Sequence, residues 1–363
     1  MTTDQSQFFK GLKVVEFASV LAGPAVGMFF AELGADVLKI ENKSTGGDVT
    51  RGWKLPDEDP ESPVSAYWCS VNWGKKHLFL DLKDSSERQQ ALSELADADV
   101  VISNFKHSFA KSIKLDGESL RERFPSLIFA QINSYVDPED ERPAFDAVLQ
   151  AEAGFMFMNG EQNGDPVKMP VALIDTIAAH QLKEGILLAL LHRERSGKGS
   201  MVHCSLMESA LASLVNQASN YLMTGHIPQR MGSKHPNIAP YGDVYACKDG
   251  SQILLAVGTE KQFTRLCHCL GLVELLSSEK FMNNRSRVEN REELNLLIAK
   301  AVSSFSLEEV MDKFIENDVP AARIRNMKQV FEHPVAKKMI LEEEIEGGVH
   351  SKRMSTVAFH LKK

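Results

Sequence analysis

The chain reads as an α/β protein, with a larger part built on a mainly parallel sheet covered by helices and a smaller α+β region after it. Three observations predict this. Short apolar, β-branched runs alternate with helical stretches through the first 199 residues, and repeated βα alternation implies a parallel sheet. After Gly199 the pattern changes to a turn-rich segment, a hairpin-like pair and helical stretches. The length of 363 residues, with 43% hydrophobic and 25% charged residues, suits a globular chain of two domains.

"LKVVEFAS" (residues 12–19) is the first strand; Pro24 suits the first turn of the helix that follows, and Gly34 suits its end. "ADVLKIE" (35–41) is the second strand, so residues 12–41 form one βαβ unit. "HLFLDL" (77–82), "DVVISN" (99–104) and "LIFAQI" (127–132) continue the series, with helical stretches such as 86–96 between most of them. Further on, "VALI" reads as a short strand running into a long helix, with Asp175 at the joint. A carboxylate there has two readings: a cap for the free N–H groups of the first turn, or a reactive group. Beyond Gly199, "MVHCSL" reads as a strand leading into a helix over 207–223 that ends at Gly225. "DVYACKDGSQILLAVG" is a hairpin turning at "KDG", and helices are expected over 260–276 and 287–305.

Lys and Arg total 41 against 49 Asp and Glu, a net charge of −8, which argues against general nucleic-acid binding. One local basic site remains compatible with that balance. Lys39, Arg51, Lys75, Lys76 and Lys106 recur near the ends of the early strands, where parallel sheets bind ligands. They read either as a site for a polyphosphate-bearing ligand or as solvated surface charge. The five cysteines, Cys69, Cys204, Cys247, Cys267 and Cys269, follow no zinc spacing and read as reduced thiols, so no metal is expected. The polar start "MTTDQSQFFKG" has no apolar signal core. The apolar run 186–191 is far shorter than the roughly 20 residues of a membrane span. A soluble, cytoplasmic protein without membrane partners is expected. G-x-G-x-x-G, the P-loop pattern and G-x-S-x-G are all missing, which counts against ordinary nicotinamide, NTPase and α/β-hydrolase sites.

"GLKVVEFASVLAGPAVGMFFAELGADVLKIE", "GGDVTRGW", "VNWGKKHLFLDLK", "DVVISNF", "HRERSGKGS" and "RMGSKHPNIAPYG" occur in an order that resembles the class III CoA-transferases, a family that includes the acyl-CoA racemases. "DGSQILLAVGTEKQFTRLC" and "VPAARIRNMKQVFEHP" extend the resemblance over roughly residues 10–340. It implies a Rossmann-like CoA-binding large domain made from both chain ends, residues 1–200 and 320–363, and a small domain over 201–319. It also implies an interlocked homodimer and, as substrates, an acyl-CoA and a carboxylic acid.

In the transferases the nucleophile is an Asp just before the long helix, and the matching residue is Asp175. On this resemblance cap and nucleophile are one residue. It would attack the donor thioester to give a mixed anhydride, then an aspartyl-CoA thioester that an acceptor carboxylate resolves. Oxyanion donors are expected among the N–H groups near Ala22 and Gly23 or in the second-domain loop. Coenzyme A contacts carried over are Val20, Ala22, Lys75, Lys76, Asn104 and Phe105, the lysines facing phosphates and Phe105 packing near the adenine. Arg51 matches the family text, with a role that is open to being structural.

Departures stand beside the matches. Phe145 precedes Asp146 where the racemases carry His and the transferases Tyr, which counts against racemisation. Lys111 stands near where some transferases have Arg, "SYVDPEDERP" is a shortened Gly-rich stretch, and the chain ends at "VAFHLKK". A CoA-transferase leads, with a racemase or isomerase of the same fold and a non-catalytic CoA-binding paralogue as alternatives.

Overall fold

The computed structural model describes residues 7–137, 139–345 and 347–361. The chain divides into two compact units, one of residues 1–155, 168–226 and 334–363, the other of 156–167 and 227–333.

The first unit is built on β1 (Lys13–Glu16), β2 (Asp36–Asn42), β3 (Lys76–Leu80), β4 (Val100–Ser103), β5 (Ile128–Asn133) and β6 (Met201–Ser205). All neighbours are parallel, in the order β3-β2-β1-β4-β5-β6. This is the Rossmann order, and it reverses between β1 and β4, which opens a crevice beyond their carboxyl ends. The central strands are apolar runs because both faces are covered. Val14, Ile102 and Ala130 pack on one side with the helices Ala22–Glu32 and Leu173–Ser196. Their neighbours Val15, Val101 and Phe129 pack on the other, with Leu95 and Leu120. Alternation with a period of two sends consecutive side chains to opposite faces.

The helix Ala22–Glu32 lies close over β1 because residue 27 has no side chain: a Cβ there would stand 1.9 Å from Glu16 Oε2. It stops as expected at Gly34, whose φ is +93°. "VALI" is not a strand. The long helix begins at Leu173, so Asp175 lies inside its first turn. The helix expected over 207–223 is two, Leu206–Ala212 and Val215–Thr224, broken where Val215 takes a φ of 44°.

In the second unit the hairpin forms as read, with β7 (Tyr241–Ala246) antiparallel to β8 (Gln252–Ala256) and β9 (Ala321–Arg323) antiparallel to β8. Ile253, Leu255, Phe263, Leu266, Leu294 and Phe314 form its core. The expected helix 260–276 stops at Leu270 because Gly271 turns left-handed, φ 71°. The stretch expected over 287–305 divides into Asn284–Glu289 and Arg291–Val302.

The expected domain limits at 200 and 320 both move. β6 is the edge strand of the parallel sheet, and Leu206 and Ala210 join its core, so the first unit runs on to 226. β9 completes the antiparallel sheet, so the chain rejoins the first unit only at 334. There β10 (Ile340–Ile345) and β11 (Val349–Met354) form a hairpin. Arg353 of β11, and Ser355 and Thr356 just after it, close on the buried carboxylate of Glu32.

Candidate active site

The loops that follow β1, β4 and β5 enclose a cavity of about 420 Å³ at the point where the strand order reverses. Val20, Ala22, Asn104, Phe105 and Asp175 all line it. Asn104 joins the first two loops: Ser19 N donates to its Oδ1 at 3.1 Å, and its Nδ2 donates to Ser19 O at 3.0 Å. The N-terminus of Ala22–Glu32, which no side chain caps, opens on this cavity at Ala22. First-turn N–H groups of a helix have no intrahelical partner, so Ala22 and Gly23 are suited to meet an oxyanion.

Asp175 is 8% exposed. It does not cap its helix. Asp146, 29 residues earlier, does so, accepting from Ile174 N at 2.7 Å and Asp175 N at 3.4 Å through one oxygen. Its other oxygen takes a hydrogen bond from Gln150 Nε2 at 2.6 Å, and Gln150 Oε1 accepts from Met169 N at 2.8 Å. The cap is therefore tertiary, and Asp175 remains available for chemistry. Burial first, and the nearby Asp146 charge second, push the Asp175 carboxyl up to about 7. A helix N-terminus favours the carboxylate by only about 1 kcal/mol, and here it is outweighed. Tyr67 feels the same surroundings: burial, then Asp175 and Asp146, push its phenol up to about 12. Trp53 stands between Tyr67 and Phe145, with ring centroids at 5.1 and 6.5 Å.

Lys75 and Lys76 do not reach this cavity. The Lys75 ammonium is buried, donating to Glu16 at 2.8 and 3.0 Å and to Pro24 O at 2.9 Å. Burial pushes it down to about 7, with Glu16 opposing and the Lys39 charge assisting. Lys76 is exposed at the opposite, amino end of β3, paired with Asp36 at 2.7 Å. Lys39 is buried between Glu16 at 2.8 Å and Asp48 at 3.2 Å; these carboxylates overcome its burial and raise its pKa. Arg51 clamps Glu41 at 2.6 and 2.8 Å and lies over the Trp68 ring at 4.2 Å. Most of the basic residues read as a phosphate site are thus neutralised inside the fold.

Lys106 does line the cavity, donating to Glu141 O at 3.1 Å, together with His107 and Arg142. The Arg142 guanidinium is held by Asp140 at 2.8 Å. A second cavity of about 420 Å³ shares Ser19, Val49 and Phe105 with the first and adds Asn42, Ser44, Thr45 and Lys83. Phe105 packs between Phe17 and Phe109, at 5.4 and 5.2 Å. The sequence offered no signal for Asp146 capping the long helix or for Asp48 holding Val20 N, because these partners are distant in the chain.

A Rossmann-type parallel sheet with a buried carboxylate over its switch point places the chain in the α/β class. The chain belongs to CoA-transferase family III, which it matches over residues 9–363. It is an enzyme of that class. A succinate–glutarate CoA-transferase of Agrobacterium fabrum is 36% identical, over 93% of this chain and 84% of that protein. A succinyl-CoA:mesaconate CoA-transferase of Haloarcula hispanica is 34% identical, over 89% and 82%. Among solved structures, a CAIB/BAIF family protein from Brucella suis superposes with a TM-score of 0.83 at 35% identity, over 97% of this chain and 92% of that one.

Proposed function

We propose that this chain transfers CoA between dicarboxylic acids through a covalent intermediate on Asp175. The observation that carries the reading is the position of Asp175, buried at the switch-point cavity and relieved of capping by Asp146. The relatives named above act on succinate, glutarate and mesaconate, all dicarboxylates. Lys106 and His107 in the cavity wall suit the carboxylate of such a substrate that does not react. The two neighbouring cavities, which share Ser19, Val49 and Phe105, suit an elongated thioester, its acyl end at Asp175 and its nucleotide end towards Lys83. In this reading Val20, Ala22 and Asn104 line the acyl end beside Asp175, and Phe105 lies on the wall common to both cavities.

The ionised Asp175 attacks the thioester carbonyl and expels CoA thiolate, leaving a mixed anhydride. Thiolate attack on the aspartyl carbonyl then releases the donor acid and leaves an aspartyl-CoA thioester. An acceptor carboxylate reverses both steps, conserving the thioester energy. Because only the carboxylate attacks, activity should rise with pH through the region near 7 where Asp175 titrates. The test is mass spectrometry after brief incubation with succinyl-CoA and a hydroxylamine quench. A hydroxamate at Asp175, absent from Asp175→Ala, is the expected result; tight CoA binding with no adduct would sink the proposal.

The interlocked homodimer belongs to the same proposal. It is supported by apolar side chains left on the surface, such as Leu188 at 68%, Leu222 at 78% and Met223 at 82% exposure. A monomer mass by light scattering would remove it. The five free cysteines suit a reducing cytoplasm. A disulfide in protein isolated under thiol-blocking conditions would argue against that location.

A further inference from the structure

Val20 is a β-branched residue with φ 73°, in the left-handed region that such side chains avoid. It lines the cavity that holds Asp175, so something must hold it there. Ser19, before it, is clamped by Asn104 on both its N–H and its carbonyl. Val20 N itself donates to the Asp48 carboxylate, 3.1 and 3.3 Å from its two oxygens.

Asp48 is in turn fixed from several directions. Its own N–H donates to Glu41 Oε2 at 2.7 Å, and its Oδ1 accepts from Thr50 N at 3.1 Å and Thr50 Oγ1 at 2.8 Å. The residue before it must be glycine. Gly47 has φ +104°, and a Cβ there would stand 2.7 Å from Glu41 Oε2 and 2.9 Å from Arg51 Nε. Behind Asp48 runs a buried row of charge, Lys39 to Glu16 to Lys75, with side chains no more than 1% exposed. Such a row is costly to bury and gives directional hold in return.

We propose that Asp48 is a positioning residue for CoA transfer: backed by Lys39 and Glu16, its carboxylate holds Val20 in the left-handed conformation that shapes the cavity wall around Asp175. The inference rests on that cavity being the transfer site. An alternative would confine Asp48 to capping the short turn Val49–Gly52, which it also does. The two roles separate in a mutant cycle, because glycine adopts positive φ without steric cost and alanine does not.

The experiment measures kcat and KM for succinyl-CoA in Asp48→Asn, in Val20→Gly and in the pair, with melting temperatures alongside. Asparagine keeps an oxygen for Thr50 but removes the charge that faces Lys39. Asp48→Asn alone should lower kcat about tenfold, with a smaller change in KM. In the Val20→Gly background the same substitution should lower kcat by less, a coupling of about threefold or more. Val20→Ala should leave the full loss in place. If Asp48→Asn does not fold, Thr50→Ala loosens the same carboxylate, and its smaller loss should shrink in the glycine background. Equal losses in all three backgrounds, or a loss confined to the melting temperature, would overturn the positioning role. Wild-type turnover separates the outcomes: no transfer by wild type overturns the function, while transfer with additive losses overturns only the role of Asp48.

Discussion

Two buried groups of charge lie in the same unit and behave oppositely. Asp146 and Asp175 are carboxylates side by side, and Asp175 is pushed up to about 7 by burial and by its neighbour. In the other group, Glu16 and Asp48 alternate with Lys39 and Lys75 through contacts of 2.8 to 3.2 Å. Burial without a cation leaves a carboxyl that changes protonation near neutral pH, the condition for reactivity. Burial with cations leaves charges that fix geometry. The difference lies in what each carboxylate faces, since Asp175 and Asp48 are both less than a tenth exposed.

The contrast can be broken most severely in the compensated group. Lys39→Met leaves Asp48 without its buried cation and should destabilise the fold by about 3–5 kcal/mol, because an unpaired buried charge remains. Denaturant unfolding at pH 7 would measure it. A loss no larger than that of an exposed pair would mean the row is not a structural unit.

A smaller effect of opposite sign is expected in the reactive pair. The folded-state pKa of Asp175 lies above its unfolded value, so its favourable contribution is full below the unfolded pKa and is lost as pH rises through the folded pKa near 7. Asp175→Asn does not titrate. It should therefore be more stable than wild type by about 3 kcal/mol at pH 6, and nearly equal to it at pH 4. Melting curves at the two pH values test this, and a difference independent of pH would show that Asp175 ionises freely. If Asp175 is the nucleophile, as proposed, its cost to stability is the expected trade between activity and folding.

Much of the fold was legible along the chain. Every early strand coincides with its apolar run, none passing its limits by more than one residue, and the "KDG" turn and Gly225 end their elements as read. These signals are local, set by side-chain shape and backbone freedom within a few residues. The break between Ala212 and Val215 was not legible, because no glycine or proline marks it. At the site, Asp175, Val20, Ala22, Asn104 and Phe105 were named from family resemblance and share one cavity. Lys75 and Lys76 were named the same way and lie elsewhere.

Sequence by itself determined the βα alternation, the family and the carboxylate at the start of the long helix. Only the tertiary structure decided that Asp146 caps this helix, that Glu16 and Asp48 neutralise the lysines beneath the cavity, and that Val20 is held at positive φ. The physical reason is range. Propensity and periodicity act over a few residues, whereas the charge state of a buried group depends on partners such as Glu16 and Lys75, 59 positions apart and brought together by folding.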